Sequence, residues 1–140
     1  MKRSASAIWQ GGLKDGKGTV STESGVLTGT PYKFSNRFEN EKGTNPEELV
    51  GAAHAACFSM ALSLFMANEG LTPESIDTTA DVSFENVNGA WTITSSHLTT
   101  RVKSPGASEA AFQKAADGAK AGCPISRLLN TTITLDAKLV

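Results

Sequence analysis

The chain encodes an α+β fold, and three features of its residue order say so. Segments in which apolar and polar residues alternate are grouped together, near the N-terminus and again beyond residue 75, rather than interleaved one for one with helices. Two other segments carry apolar residues at spacings of three and four, the mark of helices buried along one face. Glycine, proline and Asn-Gly breaks separate these groups. The resulting order is strands, helix, strands, helix, strand, within one domain expected over residues 1–140 and without a linker-like stretch.

Ala5, Ala7 and Trp9 alternate with Ser4, Ser6 and Ile8, which reads as a strand ended by Gly11-Gly12. Residues 16–22 and 25–28 flank Glu23-Ser24 as a β-hairpin, and Gly29-Thr30-Pro31 leads into a short strand at Tyr32-Lys33-Phe34. Thr44-Asn45-Pro46-Glu47-Glu48 is a helix start: Thr or Asn supplies the N-cap, proline fits the first turn, and Glu47 completes a capping box. Val50, Ala53, Cys57, Met60, Ala61 and Leu64 then form the expected buried stripe, and Gly70 with Pro73 ends the helix.

Alternation returns at Ile76, Thr78, Ala80, Val82 and Phe84, and Asn88-Gly89 turns the chain into a second strand reaching Lys103. The apolar phase slips between Ile93 and the Leu98/Thr100/Val102 set, so a β-bulge is expected near Ser95-Ser96. Ser104-Pro105-Gly106 turns again, and Ser108 caps a helix over 109–121 whose buried face is Ala111, Phe112, Ala115 and Ala119. A short turn over 125–129 precedes a last strand in which Ile133, Leu135, Ala137 and Leu139 share one face.

With 39% hydrophobic and 19% charged residues, a net charge of −1 and no run of like charge, neither nucleic acid nor an anionic membrane is an expected partner. Lys2 and Arg3 are not followed by an apolar signal region, and no apolar stretch reads as long enough to cross a bilayer, so a cytoplasmic protein is expected. In a reducing compartment the two cysteines, Cys57 and Cys123, are inert thiols, a transient catalytic pair or part of a metal site.

Their settings differ. Cys57 lies on the apolar stripe of the long helix, whereas Cys123 falls at the Gly122/Pro124 break, so Cys57 is expected to be sheltered and Cys123 to sit on a hinge. A cysteine on such a stripe is commonly packing alone. To react it needs a lowered pKa, and in mid-helix that calls for a nearby cation among Arg3, Arg37, Arg101 and Arg127. Arg37, between Phe34 and Phe38 just upstream of the helix, fits by spacing, although a surface arginine reads the same way. Glu47 is explained by helix initiation. His54 lies three residues before Cys57, which leaves a Cys–His pair or a His-Cys-Cys metal site conceivable; the absence of a C-x-x-C pair, with His97 the only other imidazole, weighs against metal. The chain carries no flavin, haem or metal signature.

Thr44-Asn45-Pro46-Glu47-Glu48-Leu49-Val50-Gly51-Ala52-Ala53-His54-Ala55-Ala56-Cys57-Phe58, followed by Cys123-Pro124-Ile125-Ser126 with the cysteines 66 residues apart, resembles the OsmC/Ohr family of thiol-dependent peroxidases. The stretch from Tyr32 to Phe38 is more similar to the OsmC branch. The resemblance implies an OsmC/Ohr-like fold of antiparallel strands and two main helices, assembled as an intertwined homodimer. It further implies that Cys57 is the peroxidatic cysteine, Cys123 the resolving cysteine, and Arg37 with Glu47 an ion pair that holds the thiolate ready. No cofactor is implied; the substrate is an organic hydroperoxide and the reductant a dithiol, of lipoyl type in this family.

Helix geometry agrees with a shared site, since ten residues of helix separate Glu47 from Cys57 by about 15 Å of rise. A loop or a second chain has to bridge that gap, and Gly51, Ala52, Ala53, Ala55 and Ala56 would let a symmetry-related helix approach. Phe34, Phe38, Phe58, Met60, Phe65 and Met66 are candidates for an apolar substrate pocket, or simply for core. The alternatives to a peroxidase are a dimeric binding module with buried thiols and a peroxide-responsive redox sensor.

Overall fold

Turn chemistry cuts the chain into its strands, and the computed structural model, which describes residues Met1–Val140, places them in two three-stranded sheets. The chain divides into two compact units, Met1–Leu49 and Val50–Val140.

In the first unit β1 (Ala5–Gln10), β2 (Lys17–Thr22) and β3 (Thr30–Lys33) form an antiparallel sheet in that order. Trp9, Gly18 and Tyr32 lie opposite one another across it. A side chain at Gly18 would stand 2.8 Å from both rings, so glycine there lets Trp9 and Tyr32 meet with centroids 5.4 Å apart. The expected strand over 25–28 is instead the turn between β2 and β3. Gly25 (φ 78°) and Gly29 (φ 58°) adopt left-handed backbone, and Leu27 accepts the Thr22 N–H at 2.9 Å. Phe34, expected to end a strand, opens a short helix, α1 (Phe34–Phe38), that the sequence reading did not contain. Asn36 holds its start by accepting the Lys33 N–H at 2.9 Å.

The long helix α2 (Pro46–Asn68) begins as its residues dictate, with Asn45 as N-cap accepting the Glu48 N–H at 2.8 Å and Pro46 in the first turn. Glu47 is therefore not a capping residue. The helix ends in a Schellman motif: Leu71 N–H reaches Met66 O at 2.8 Å and Gly70 N–H reaches Ala67 O at 3.0 Å, with Gly70 at φ 73°.

In the second unit β4 (Ser75–Val87) and β5 (Ala90–Lys103) pair antiparallel around Asn88 (φ 52°) and Gly89 (φ 87°), both left-handed as a tight hairpin requires. The bulge is present: Ser83 faces Ser95 and Phe84 faces Ile93, leaving Thr94 as the extra residue. Beyond it Ser96, Leu98, Thr100 and Val102 all point inward. Helices α3 (Glu109–Gly122) and α4 (Pro124–Leu128) carry the chain to β6 (Thr132–Leu139), which lies parallel to β5. The expected α+β class with antiparallel strands and two main helices holds, and β5–β6 is its one parallel pair. A parallel neighbour needs a long crossover, and α3 with α4 supplies it.

The core of this unit joins Phe58, Leu62 and Met66 of α2, Leu98 and Val102 of β5, Phe112, Ala115, Ala116 and Ala119 of α3, and Cys123. The expected stripe on α2 is rotated: Met60 and Leu64 are 76% and 61% exposed in the single chain, and Gly51, His54, Phe58, Leu62 and Met66 face inward instead. The helix is apolar on every side, so spacing could not choose its face. It is also long and apolar enough, by length and composition alone, to cross a bilayer, with mean hydropathy 1.7, contrary to the sequence reading. Its inward face is nonetheless fully buried against protein at Phe58, Leu62 and Met66.

Phe65 lies flat on α3 where glycine leaves room: a Cβ at Gly118 would fall 2.6 Å from its ring and one at Gly122 2.9 Å. Gly118→Val is expected to lower unfolding stability by about 1–3 kcal/mol through overpacking. In denaturant titrations the double variant with Phe65→Ala should cost less than the sum of the two single changes, because Phe65→Ala removes the ring that the added valine meets.

Candidate active site

The second unit holds the thiols. Helix α3 stops at Gly122 because the residue before a proline cannot stay helical, and Cys123 takes an extended conformation (φ −56°, ψ 126°) that caps α3 and starts α4. That turn brings Cys123 Sγ to within 2.9 Å of Cys57 Sγ, the thiol of Cys123 donating. A disulfide needs sulfurs about 2.05 Å apart, so formation calls for little more than a side-chain adjustment. Burial is the reverse of expectation: Cys123 is fully buried, whereas Cys57 is partly exposed. The exposed member of the pair is the one a solute can reach first.

Burial pushes the Cys57 thiol above its ordinary value, and its hydrogen-bonded pairing with Cys123 adds to the rise; the backbone N–H of Ile125 acts in the opposite direction. No cationic side chain is among these influences. The thiol as placed is reduced and protonated, and a cation must act on it if it is to be a good nucleophile at neutral pH.

One turn before Cys57, His54 is fully buried. It makes no pair with Cys57. Its Nδ1 lies 2.8 Å from Ser96 Oγ on β5, and its Nε2 lies 2.8 Å from Ser126 Oγ on α4. A neutral imidazole has one donor and one acceptor, so one serine donates to it and the other accepts. Neither serine was singled out from the sequence. Ser96 could have been found, since it continues the inward phase of Leu98, Thr100 and Val102 with a hydroxyl that a buried position obliges to find a partner.

The first unit holds the ion pair. Arg37 Nε donates to both carboxylate oxygens of Glu47 at 3.1 Å, and a terminal guanidinium nitrogen donates to Oε1 at 2.7 Å. The Glu47 side chain is 10% exposed and that of Arg37 37%, so the carboxylate is nearly out of water and the guanidinium is not. Glu47, freed from capping, fixes the direction of the guanidinium. Arg37 also lies over the Phe38 ring at 5.4 Å, and Phe38 stacks on Phe34 at 4.6 Å. Beside them is a cavity of about 290 Å³ lined by Trp9, Leu13, Phe34, Phe38 and Pro46 together with Arg37. Of the sequence candidates for an apolar pocket, Phe34 and Phe38 line this cavity, whereas Phe58 and Met66 are core.

Burial holds the His54 imidazole below its ordinary value of 6.5. The unfolded chain therefore binds a proton that the folded chain resists, and stability should be constant above about pH 6.5 and fall as pH drops below it toward the lowered folded value. Thermal unfolding of wild type and His54→Gln across pH 4.5–7.5 checks this. The excess loss of stability of wild type on acidification should disappear in the variant.

The model of the family described as OsmC-like protein matches residues 39–138. Over 133 residues the chain is 59% identical to the peroxiredoxin OsmC of Escherichia coli K12, covering 95% of this chain and 93% of that protein. It is 33% identical over 100 residues to the organic hydroperoxide resistance protein OhrA of Bacillus subtilis 168, covering 69% and 68%. The crystal structure of the Bacillus subtilis organic hydroperoxide resistance protein OhrB has the same fold, with a TM-score of 0.71 at 24% identity over 96% of this chain and 98% of that one. An OsmC-like protein from Vibrio cholerae aligns with a TM-score of 0.75 at 18% identity over 99% of each chain. A family match across most of the chain, and a relative of this identity along nearly all of it, place the chain in the OsmC-like family.

Proposed function

We propose that this protein is a thiol-dependent peroxidase that reduces organic hydroperoxides to alcohols. The observation that carries the reading is the 2.9 Å approach of a partly exposed thiol, Cys57, to a buried one, Cys123. The names of the relatives, a peroxiredoxin and an organic hydroperoxide resistance protein, agree with it.

In this reading the Cys57 thiolate attacks the terminal oxygen of the hydroperoxide. The O–O bond breaks, the alkoxide leaves and takes a proton as the alcohol, and Cys57 becomes a sulfenic acid. The Cys123 sulfur then displaces hydroxide from the Cys57 sulfur, releasing water and leaving a Cys57–Cys123 disulfide. Two electrons and two protons from an external dithiol, which we take to be a lipoyl-type group, return the pair to its reduced form. Arg37 is the cation that favours the thiolate and the developing alkoxide, and Glu47 keeps its guanidinium aimed. The aromatic cavity beside Arg37 suits the apolar part of an organic hydroperoxide better than it suits hydrogen peroxide.

The working unit in this proposal is a homodimer of the whole chain, 1–140, in the cytoplasm. Two features support the dimer. The buried residues of Met1–Leu49 are Gly16, Gly18, Asn36 and Glu47, none of them a large apolar side chain, so this unit has no apolar core of its own. The outer face of α2 also presents Met60 and Leu64 beside Ala53 and Ala56, which a second copy of the helix could cover.

Treatment of the reduced protein with one equivalent of cumene hydroperoxide should remove both thiols and about two mass units. Cys57→Ser should abolish the reaction, and Cys123→Ser should stop it at a sulfenic or overoxidised Cys57. Survival of both thiols in excess peroxide would instead support a buried-thiol binding module. Arg37→Leu should slow Cys57 oxidation about a hundredfold, measured by stopped-flow at neutral pH. Sedimentation should give twice the mass of the chain for wild type, and a Met60→Glu/Leu64→Lys variant should sediment as a monomer; a wild-type monomer with full activity would remove the dimer from the account.

A further inference from the structure

The second unit contains a buried polar group that the proposed chemistry does not use. His54, Ser96 and Ser126 form a hydrogen-bonded bridge from α2 to β5 and α4 through one imidazole, with all three side chains buried. A leucine could fill such a space without the desolvation that a histidine incurs, so the core alone does not call for this bridge. Its position relative to the thiols is specific. His54 stands one turn before Cys57 on α2, and Ser126 stands three residues after Cys123.

Helix α4 needs such a link. It is five residues long, and Arg127 and Leu128 are exposed. Ile125 packs against the core from one side and its backbone N–H acts on the Cys57 sulfur, while the Ser126–His54 bond is the one hydrogen bond made by an α4 side chain. In the reduced protein the Cys123–Cys57 contact also ties this turn to α2. An oxygen added to Cys57 alters that contact, and the histidine bridge then joins the Ile125 packing and the backbone bonds of Cys123 in holding the turn.

We propose that His54 is a positioning residue for the resolving step, clamping α4 through Ser126 so that Cys123 stays within reach of Cys57 for the lifetime of the sulfenic acid. The proposal rests on the peroxidase reading above. Two reactions compete for the sulfenic acid. In the first, Cys57–SOH and Cys123–SH give the disulfide and water. In the second, Cys57–SOH and another hydroperoxide give Cys57–SO2H and an alcohol, which no dithiol reverses. The clamp favours the first by keeping the internal thiol at high effective concentration.

The test is the partition between these products. Reduced wild type, Ser126→Ala, Ser96→Ala, His54→Asn and His54→Gln are each mixed with rising cumene hydroperoxide, and disulfide and sulfinic acid are counted by intact mass. Cys57 oxidation and disulfide closure are timed separately by stopped-flow. Loss of one buried hydrogen bond to α4 should slow closure about tenfold and raise the sulfinic fraction in proportion. That effect is expected in Ser126→Ala and in His54→Asn, whose shorter amide reaches the Nδ1 side alone. His54→Gln, whose amide reaches the Nε2 position, should restore closure toward wild type.

Ser96→Ala removes the other partner of the same imidazole and serves as the structural control. Its melting temperature should fall about as much as that of Ser126→Ala, while its product partition stays near that of wild type. Equal partition in Ser126→Ala and wild type, or equal disturbance in Ser96→Ala and Ser126→Ala, overturns the clamp while leaving the peroxidase intact. A wild type that loses no thiols to peroxide overturns both readings together.

Discussion

The chemistry of this chain depends on a single break in the backbone, the Gly122-Cys123-Pro124 step. Pro124 forbids Cys123 a helical conformation, and Cys123 in turn redirects the chain so that one residue ends α3 and begins α4. Its backbone N–H is satisfied by Ala119 O at 2.9 Å and its carbonyl by Arg127 N–H at 3.0 Å, so the residue is anchored on both sides. A side chain held by two helices has little freedom left. Its sulfur is therefore presented to Cys57 in a fixed place, and full burial within the apolar core keeps water from it. The same break lets α3 and α4 act as the crossover that sets β6 parallel to β5.

The electrostatic side of the site follows from this placement. Packing that brings the two thiols together also desolvates Cys57, and the pairing with Cys123 raises the cost of ionising it further. The arrangement suits the second half of a two-cysteine cycle better than the first. Disulfide closure needs proximity, which the fold supplies outright. Peroxide attack needs a thiolate, for which the backbone N–H of Ile125 is the one favourable influence on Cys57. Hence the weight that the proposed mechanism places on Arg37, whose guanidinium is oriented by three hydrogen bonds to a nearly buried carboxylate. An ion pair of this geometry restricts rotation of the arginine while leaving its charge beside an open cavity.

Local chemistry and the α+β order of elements were legible in the sequence, whereas the pairing of β6 and the buried face of α2 were not. Asn88-Gly89, the phase slip that became the Thr94 bulge, Ser108 as an N-cap and Gly70 as a helix stop each have a cause within a few residues, and each appears where its cause predicts. The pairing of β6 could not be read this way, because parallel and antiparallel neighbours present the same alternation of residues. Helix α2 misled for a related reason: with alanine, leucine and methionine on all sides, its buried face is chosen by what packs on it, and Gly51, whose absent side chain leaves Ala80 O room at 3.1 Å, marks that face better than any large residue does. The assignment of Glu47 to a capping box failed because Asn45, one position on, competes for the same role and wins.

For the site, residue types were readable and their environments were not. The Gly/Pro break around Cys123 identified a special position but suggested exposure, since such breaks usually lie at the surface. Here the break is covered by the core, and Cys57, on the helix, is the thiol left partly open. His54 suggested a partner for Cys57 because residues three apart share a helical face. Sharing a face does not decide where a ring points. With serine hydroxyls 2.8 Å from both nitrogens, the imidazole spans two other elements instead, and a residue that spacing would have placed in the chemistry becomes part of the frame that holds it. A buried histidine with both nitrogens engaged constrains three elements at once, and in a unit where one of them is a single helical turn bearing a reactive thiol at its head, that constraint acts on how far the two sulfurs can drift apart.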